Sequence, residues 1–358
     1  MVKDREGFEV PQVDSHKCVL CGACDNVCPA MHNATCVPPL ACYAAKSLST
    51  EILESSASGG AAQEICRITI NSGGVVFGCA FDERLVARHI MVDNLRDLHK
   101  LQGSKYVQSS LGGIYNRVKA EAKMGRRVVF IGVPCQVHGL SLFLGKDYTN
   151  VVKVEILCHG GTSPRLFEAA KEKWSKKVGQ KIIGVNFKGK RIAWDKPELV
   201  LDYANGSSVS KPLYSDNYVM SFEHRLANRR SCMRCVHRCG KSGADLTIGD
   251  FWGIDVNYPN LYSRMGVSLV VVRSKKGESL LRAARLDCHE VDYAKAYAYN
   301  PALEYDNSAS IARRNIFFRL VRVLPIGLSD LFSRFDIVLK SNVRIFLRRG
   351  KKFLKGLI

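Results

Sequence analysis

Short apolar runs rich in β-branched residues recur through the middle of the chain and alternate with stretches of helical composition. The runs predicted to form strands are 74–77, 127–132, 151–157, 244–248 and 268–272. The helical stretches cover 115–124, 136–144 and 164–174. Apolar strands that alternate with helices favour a sheet covered on both faces and at least partly parallel. The pattern therefore predicts an α/β (α+β) fold.

Composition divides the 358-residue chain into a cysteine-rich head at 1–44, a Gly-punctuated body at 45–300 and a basic, apolar tail at 301–358. This length suffices for one large α/β domain and a smaller module. The tail mixes Phe, Leu, Ile and Val with Arg and Lys at helix-compatible spacing. A basic amphipathic helix suits an anionic membrane surface or an acidic partner groove. The alternative is a helix packed on its own domain, with a solvated basic face.

Charge and cysteine content narrow the classes of function. The formal net charge is +20, but the basic residues of the tail are interleaved with apolar ones, which argues against a nucleic-acid partner. The charged start and the lack of a run of about 18 apolar residues predict a cytoplasmic protein. Because of the tail, peripheral contact of the protein with the inner face of the membrane stays open. In that compartment the fourteen cysteines would serve metals or redox chemistry rather than disulfides.

The head carries a compact cysteine motif, CxxCxxCxxxCP, formed by Cys18, Cys21, Cys24 and Cys28. This spacing curls the chain so that several sulfurs face one centre, which is typical of a ferredoxin-type 4Fe-4S cluster. A zinc site is the alternative, although zinc ligands usually form two separated pairs. The run occurs once, so the fourth ligand stays open between Cys28, Cys36, Cys42 and a cysteine of another protein.

Cysteines of the body follow predicted strands or stand in a basic loop. Cys135 and Cys158 come directly after two buried strands, and Cys232 and Cys235 form a CxxC pair. Together they would supply four ligands for a second 4Fe-4S cluster, with a zinc knuckle as the alternative. Cys239 adds a further thiol, so this choice of four is not unique. Three other thiols are expected to be inert in the core: Cys66, Cys79 and Cys288.

Two loops could approach an organic cofactor, although the chain has neither GxGxxG nor GxxxxGK[ST]. In 56–60 (SASGG) small residues would admit a pyrophosphate close to the backbone. In 103–109 (GSKYVQS) Lys105 offers a charge to phosphate and Tyr106 a stacking face. The alternative for the first loop is an ordinary turn. The alternative for the second loop is that Lys105 lies at the surface and Tyr106 in the core.

The motifs SSASGG, GSKYVQS, GVPCQVHGL, ILCHG, SCMRC and ADLTIGDFWG follow the cysteine head in this order. Over roughly residues 8–290, the chain thereby resembles the beta subunits of coenzyme F420-reducing hydrogenases and F420-linked formate dehydrogenases. The resemblance implies an iron-sulfur flavoprotein domain with a ferredoxin-like module. One or two 4Fe-4S clusters would exchange electrons with FAD, and FAD would exchange hydride with F420 or another organic acceptor. A redox partner protein or ferredoxin is implied as well.

Motif match also implies the flavin contacts. These are Ser58, Gly59, Gly60, Ser104, Lys105, Tyr106, Gln136, His159 and Asp250. His159 is the candidate catalytic residue, as a hydrogen-bond partner of the flavin or a proton relay. Its alternative is a packed or helix-capping histidine.

Two other classes of function compete with the enzyme. A non-catalytic electron-transfer subunit would contain reducible clusters but turn over no small substrate. A zinc-stabilised binding module would contain zinc without iron or sulfide.

Overall fold

The computed structural model describes residues 1–33, 36–238, 240–300 and 311–323. The strands in these ranges are β1 (Val2–Lys3), β2 (Glu9–Val10), β3 (Ala41–Ser47), β4 (Val75–Phe81), β5 (Ala87–Val92), β6 (Val128–Gly132), β7 (Val151–Ile156), β8 (Ile182–Ala193), β9 (Lys196–Tyr203), β10 (Ser208–Pro212), β11 (Leu246–Asp250), β12 (Ser268–Val272) and β13 (Leu286–Glu290). The α-helices are α1 (Ala23–Asn26), α2 (Thr50–Ser55), α3 (Ala61–Asn71), α4 (Ile114–Lys123), α5 (Pro134–Leu144), α6 (Pro164–Val178), α7 (Asn217–Glu223), α8 (Ile254–Asn257), α9 (Lys275–Ala283), α10 (Tyr293–Tyr299) and α11 (Ile311–Val323).

An eight-stranded mixed sheet lies at the centre of the fold, in the order β13-β3-β12-β11-β7-β6-β4-β5. The four strands β11, β7, β6 and β4 run parallel to their neighbours in this group. The outer strands pair antiparallel, with β5 on one side and β12, β3 and β13 on the other. The predicted α/β fold with a partly parallel sheet is confirmed. Strand β3 draws residues 41–44, which the predicted boundary assigns to the head, into this sheet.

Both faces of the sheet are covered, because side chains on each parallel strand alternate between two cores. On β6, Val128 and Phe130 pack with residues of α4 and α5. Between them, Val129 points to the opposite face, where it packs with Ile65 and Cys66 of α3. Burial on both sides explains why β6 is a continuous apolar run rather than an alternating one. Cys66 is a core thiol, as expected.

Most predicted elements of the body occur within a few residues of their expected bounds. The helix predicted at 164–174 extends to Val178, where Gly179 ends it in the left-handed conformation at φ 72°. At its start, the Ser163 hydroxyl accepts a hydrogen bond from the Leu166 N–H. The sequence pattern missed a separate antiparallel sheet formed by β8, β9 and β10. Its strands carry exposed apolar residues such as Ile183 and Ile192, so their alternation is weak.

Helix α11, the described part of the predicted tail, packs on the protein itself. Phe317, Phe318 and Val321 are buried in a core cluster that also contains Phe8. The alternative of a helix packed on its own domain therefore holds for 311–323, and these apolar side chains are not available to a membrane. The rest of the predicted tail, 301–310 and 324–358, lies outside the described residues. No helix in the described part of the chain is long and apolar enough to cross a membrane.

Candidate cluster and cofactor site

Three predicted site residues lie at one edge of the parallel strands. Strand β6 ends at Gly132 and β7 at Ile156, so Cys135 and Cys158 follow neighbouring strands. Strand β11 pairs with β7 and ends at Asp250. In open α/β sheets the carboxyl edge of parallel strands is the usual place for ligands.

The four predicted ligands of the second cluster are brought together at this edge: Cys135, Cys158, Cys232 and Cys235. Burial, together with the neighbouring thiols of Cys232 and Cys235, raises the pKa of the Cys158 thiol to about 12. Burial and the neighbouring thiols of Cys232, Cys158 and Cys235 raise the pKa of Cys135 well above its usual range, although that residue keeps contact with solvent. Thiols that affect each other's ionisation in this way are close neighbours.

Two backbone amides point at sulfur atoms of this group. The Gly160 N–H donates to Cys158 Sγ at 3.3 Å, and the Gly161 N–H donates to Cys232 Sγ at 3.3 Å. Such hydrogen bonds stabilise sulfur in its thiolate form. Among the described residues, no three His, Cys, Asp or Glu side chains form a group that could hold a metal ion as they stand. Cys239 lies outside the described residues.

Asn228, which the sequence analysis missed, fixes the loop that carries the two glycines. Its Nδ2 donates to the His159 carbonyl at 3.0 Å, and the next residue donates from Arg229 N–H to Gly161 O at 2.8 Å. Gly160 has φ 122°, and a Cβ there would lie 2.2 Å from Asn228 Nδ2. The Gly-Gly pair after Cys158 was the available sequence signal, because only such residues allow this approach.

The head cysteines lie at the surface rather than in the sheet. Cys18, Cys21 and Cys24 are exposed and Cys28 is half-buried. Of the open choices for a fourth ligand, Cys36 is exposed, whereas Cys42 is buried on β3 and burial raises its pKa to about 12.

The head loop rests on helix α5, which starts beside Cys135. Pro29 Cγ lies 3.6 Å from where a Cβ on Gly139 would be. One turn of the same helix carries His138, whose Nδ1 lies 3.1 Å from His237 Nδ1 in the cysteine loop at 232–238. Helix α5 thus contacts both cysteine-bearing loops.

A buried ion pair lies beside the cysteines and was not predicted. Lys188 Nζ on β8 lies 2.9 Å from Asp250 Oδ2, with the lysine side chain 5% exposed. Burial opposes the lysine charge, but the Asp250 carboxylate outweighs it and raises the pKa of Lys188. The ammonium also lies 5.4 Å from the centre of the Trp252 ring. Together these residues form a charged, largely buried wall at the carboxyl edge.

His159 and Tyr106 face the same charges. Burial, together with the nearby Arg225 and Arg238, lowers the pKa of His159 to about 4. The ring is therefore neutral at physiological pH. Burial raises the pKa of Tyr106, so its hydroxyl keeps its proton. The Tyr106 ring lies 4.9 Å from Phe187 and 4.5 Å from Phe222, centre to centre, so its faces already contact protein aromatics.

Lys105 and Ser104 occupy the same loop at half-buried positions. The Lys105 ammonium donates to the carbonyl oxygens of Gln102 at 2.6 Å and Lys100 at 3.4 Å. Burial lowers the pKa of Lys105 to about 8. The lysine side chain therefore binds its own loop in this structure.

The SASGG loop is built into the sheet. The Ser58 hydroxyl donates to the Val267 carbonyl at 2.8 Å, and Gly60 precedes helix α3 at φ 81°. Lys190 reaches this loop from β8, donating to Ser58 O at 3.1 Å and to Met265 O at 2.6 Å. Lys190 connects the SASGG loop to the charged wall, since the Asp250 carboxylate also acts on the charge of Lys190.

Replacing Gly59 by alanine is expected to destabilise the protein by about 3 kcal/mol or prevent folding. A Cβ at this position would lie 2.4 Å from Ala45 O and 2.5 Å from Ser268 N, both backbone atoms of paired strands. Urea unfolding measures the effect. Gly113→Ala is the control, because its φ is −90° and its Cβ would meet no atom within 4 Å. Equal losses in the two variants would contradict the steric argument.

Gln136 belongs to a hydrogen-bonded chain rather than to the charged wall. Its Nε2 donates to Ser109 Oγ at 3.0 Å, and Ser109 lies 3.1 Å from His89 Nδ1. The other ring nitrogen of His89 lies 3.1 Å from Ile131 O, a carbonyl that can only accept. Nε2 therefore carries the proton, and Nδ1 accepts from the serine.

This buried histidine should make stability fall in acid. Burial lowers the pKa of His89 from 6.5 to about 4, so the unfolded state binds its proton first as the pH falls. Between about pH 7 and pH 5 this effect alone should remove about 2 kcal/mol from the free energy of unfolding. His89→Gln should flatten the measured pH dependence by this amount. An unchanged slope would show that other groups cause it.

Cys288, which was predicted to be a core thiol, does not lie in the core. Cys288 is exposed on β13, because this strand is the edge of the main sheet and turns its side chains to solvent. Cys79 is half-buried on β4.

Comparison with known proteins gives the family. Residues 125–294 match the family described as the C terminus of the beta subunit of coenzyme F420 hydrogenase/dehydrogenase. This part of the chain belongs to that family. The beta-subunit domain so defined contains the four predicted ligands of the second cluster, and also His159, Lys188 and Asp250. The resemblance stated from the ordered motifs is confirmed for this segment.

The fold also has a counterpart among solved structures. A chain of the xenon-derivatised F420-reducing [NiFe] hydrogenase complex from Methanosarcina barkeri is 16% identical, with a TM-score of 0.52. The match covers 78% of this chain and 93% of that chain. At this identity it shows a shared fold, which extends beyond the beta-subunit domain. No curated protein matches the chain.

Proposed function

We propose that the chain is an iron-sulfur flavoprotein oxidoreductase, in which Cys135, Cys158, Cys232 and Cys235 hold a 4Fe-4S cluster. The observation that carries this proposal is the convergence of four thiols from three loops at the carboxyl edge of the parallel strands. The donor set fits such a cluster, because amides donate to two of the sulfurs and the nearby Arg229 and Arg238 favour negative charge on Cys232.

The charged wall beside the thiols is the proposed flavin site. When bound, FAD would exchange an electron pair as hydride with an organic acceptor and single electrons with the cluster. Lys188 would supply a fixed positive charge, held in place by Asp250. Tyr106 keeps a proton to donate in a hydrogen bond, and neutral His159 can hold or accept one. Acceptors of the F420 type are the first candidates because of the family.

The head cysteines Cys18, Cys21, Cys24 and Cys28 are proposed to hold a further 4Fe-4S cluster that exchanges electrons with a redox partner protein. Support comes from their exposure and from the contact of the head loop with helix α5. A surface cluster is accessible to a partner, and α5 leads directly to Cys135.

The test is anaerobic purification followed by quantification of iron, acid-labile sulfide and flavin per chain. The proposal expects about eight irons for two clusters, FAD released on denaturation, and reduction of F420, a quinone or a nicotinamide. Reducible clusters without flavin or turnover would identify a non-catalytic electron-transfer subunit instead. Zinc without iron and sulfide would contradict both and favour a binding module.

A further inference from the structure

A buried arginine on helix α11 joins both ends of the described chain to the loops of the proposed cluster. Arg314 is 2% exposed. Its guanidinium forms an ion pair with Glu6, with Nη1 3.2 Å from Oε1, and its Nε donates to the Asn228 carbonyl at 2.7 Å. The Phe318 ring lies 4.3 Å below the guanidinium carbon. Burying a guanidinium is costly unless its donors are satisfied, so this arrangement is a specific one.

Glu6 is itself fixed next to the loop that carries Cys158. The Ser163 hydroxyl, at the start of α6, donates to the Glu6 carbonyl. Its neighbour Gly7 lies so close to α6 that a Cβ there would be 2.6 Å from Arg165 Cβ. Helix α6 begins directly after the loop that carries Cys158. The carboxylate that pairs with Arg314 is therefore attached to the same part of the protein as the proposed ligands.

Asn228 connects Arg314 to the loop whose amides donate to the sulfur atoms. Arg314 binds its carbonyl, while its side-chain amide binds the His159 carbonyl. The following residue, Arg229, binds Gly161 O, and both Gly160 and Gly161 donate to cysteine sulfurs. A shift of Asn228 would change the two N–H···S hydrogen bonds. Hydrogen bonds to sulfur are one determinant of the reduction potential of an iron-sulfur cluster.

We propose that Arg314 is a positioning residue for the body cluster, which it holds through Asn228 and Glu6. The inference rests on the proposed function, because it takes Cys158 and Cys232 as cluster ligands. Residues 6 and 314 both lie outside the segment 125–294 that matches the family. The head and the tail helix thus tune a site whose ligands all belong to the beta-subunit domain.

The experiment compares the anaerobically purified full chain with Arg314→Lys, which keeps the charge but cannot bind Glu6 and Asn228 together. Hydrogen exchange in peptides covering 158–163 and 228–235 should become about tenfold faster, as expected for the loss of a charged hydrogen bond. Iron release to a chelator should accelerate by about the same factor, and the midpoint potential of the cluster should shift. Exchange in 268–272 should not change. Arg319→Gln, an exposed arginine on the same helix, is the matched control.

Unchanged exchange in these loops, or an equal rise across the whole chain, would overturn the inference. If Arg314→Lys does not fold, Glu6→Gln decides instead, because it leaves Arg314 next to Asn228 and should raise exchange in the same loops by a few-fold. Unchanged loops there would also overturn the inference. The two proposals fail separately. An unmodified chain without iron defeats the proposed function, whereas an iron-loaded variant with unaltered loops defeats only the role of Arg314.

Discussion

Replacing Cys158 by serine should remove about four irons per chain and lower the reduction of an organic acceptor more than about 100-fold. The serine hydroxyl is nearly the size of the thiol, but it is a poor ligand for iron at neutral pH. Three remaining thiols would leave one iron corner without protein sulfur, in a loop whose amides are arranged to donate to sulfur. Iron and sulfide analysis, electron paramagnetic resonance and acceptor assays measure the outcome.

Two controls separate the loss of a ligand from a general effect of losing a thiol. Cys288→Ser changes an exposed cysteine on edge strand β13 and should leave iron, flavin and activity unaltered. Cys18→Ser should remove iron from the head while flavin reduction by a hydride donor persists. The proposed ligand set would be wrong if Cys158→Ser and Cys232→Ser both retained the iron content of the unmodified chain.

Replacing Asp250 by asparagine should destabilise the protein by about 3 kcal/mol and release the flavin. The substitution removes the charge that compensates the Lys188 ammonium, whose side chain is 5% exposed. A buried charge without its counterion loses hydration and gains nothing in return. Urea unfolding gives the change in stability, and flavin fluorescence after denaturation gives the cofactor content.

A surface ion pair provides the matched control for this substitution. Lys46 and Asp287 lie 3.2 Å apart with side chains 39% and 33% exposed, so Asp287→Asn should cost less than about 1 kcal/mol. The double variant Lys188→Met, Asp250→Leu should regain much of the lost stability, since no unpaired charge remains. If it also regained flavin, the charges would not belong to the cofactor site.

The sequence was informative wherever one local rule determined the outcome. Strand β6 was predictable because burial on both faces makes its residues uniformly apolar. The meeting of Cys135 with Cys158 followed from the carboxyl edge that parallel strands share. Asp250 also lies at this edge, at the end of β11, but the sequence indicated it only through the motif match.

The missed residues act through partners that are distant along the chain. Lys188 meets Asp250 across 62 residues, and Arg314 meets Glu6 across 308, so no local pattern marks either pair. The SASGG motif was ambiguous for a different reason. Glycine permits close approach to a cofactor and to a backbone alike, and at Gly59 the neighbour is the paired backbone of β3 and β12.

The contact between Pro29 and helix α5 sets how near the head comes to the body. Pro29 contacts helix α5 at Gly139, four residues after Cys135. Four residues are about one helical turn, which rises about 5.4 Å along the helix. Electron tunnelling slows exponentially with the gap between centres. In the proposed route a side chain longer than that of alanine at this position would lengthen the jump, so the contact of Pro29 with helix α5 would govern the rate of electron transfer between the two iron centres.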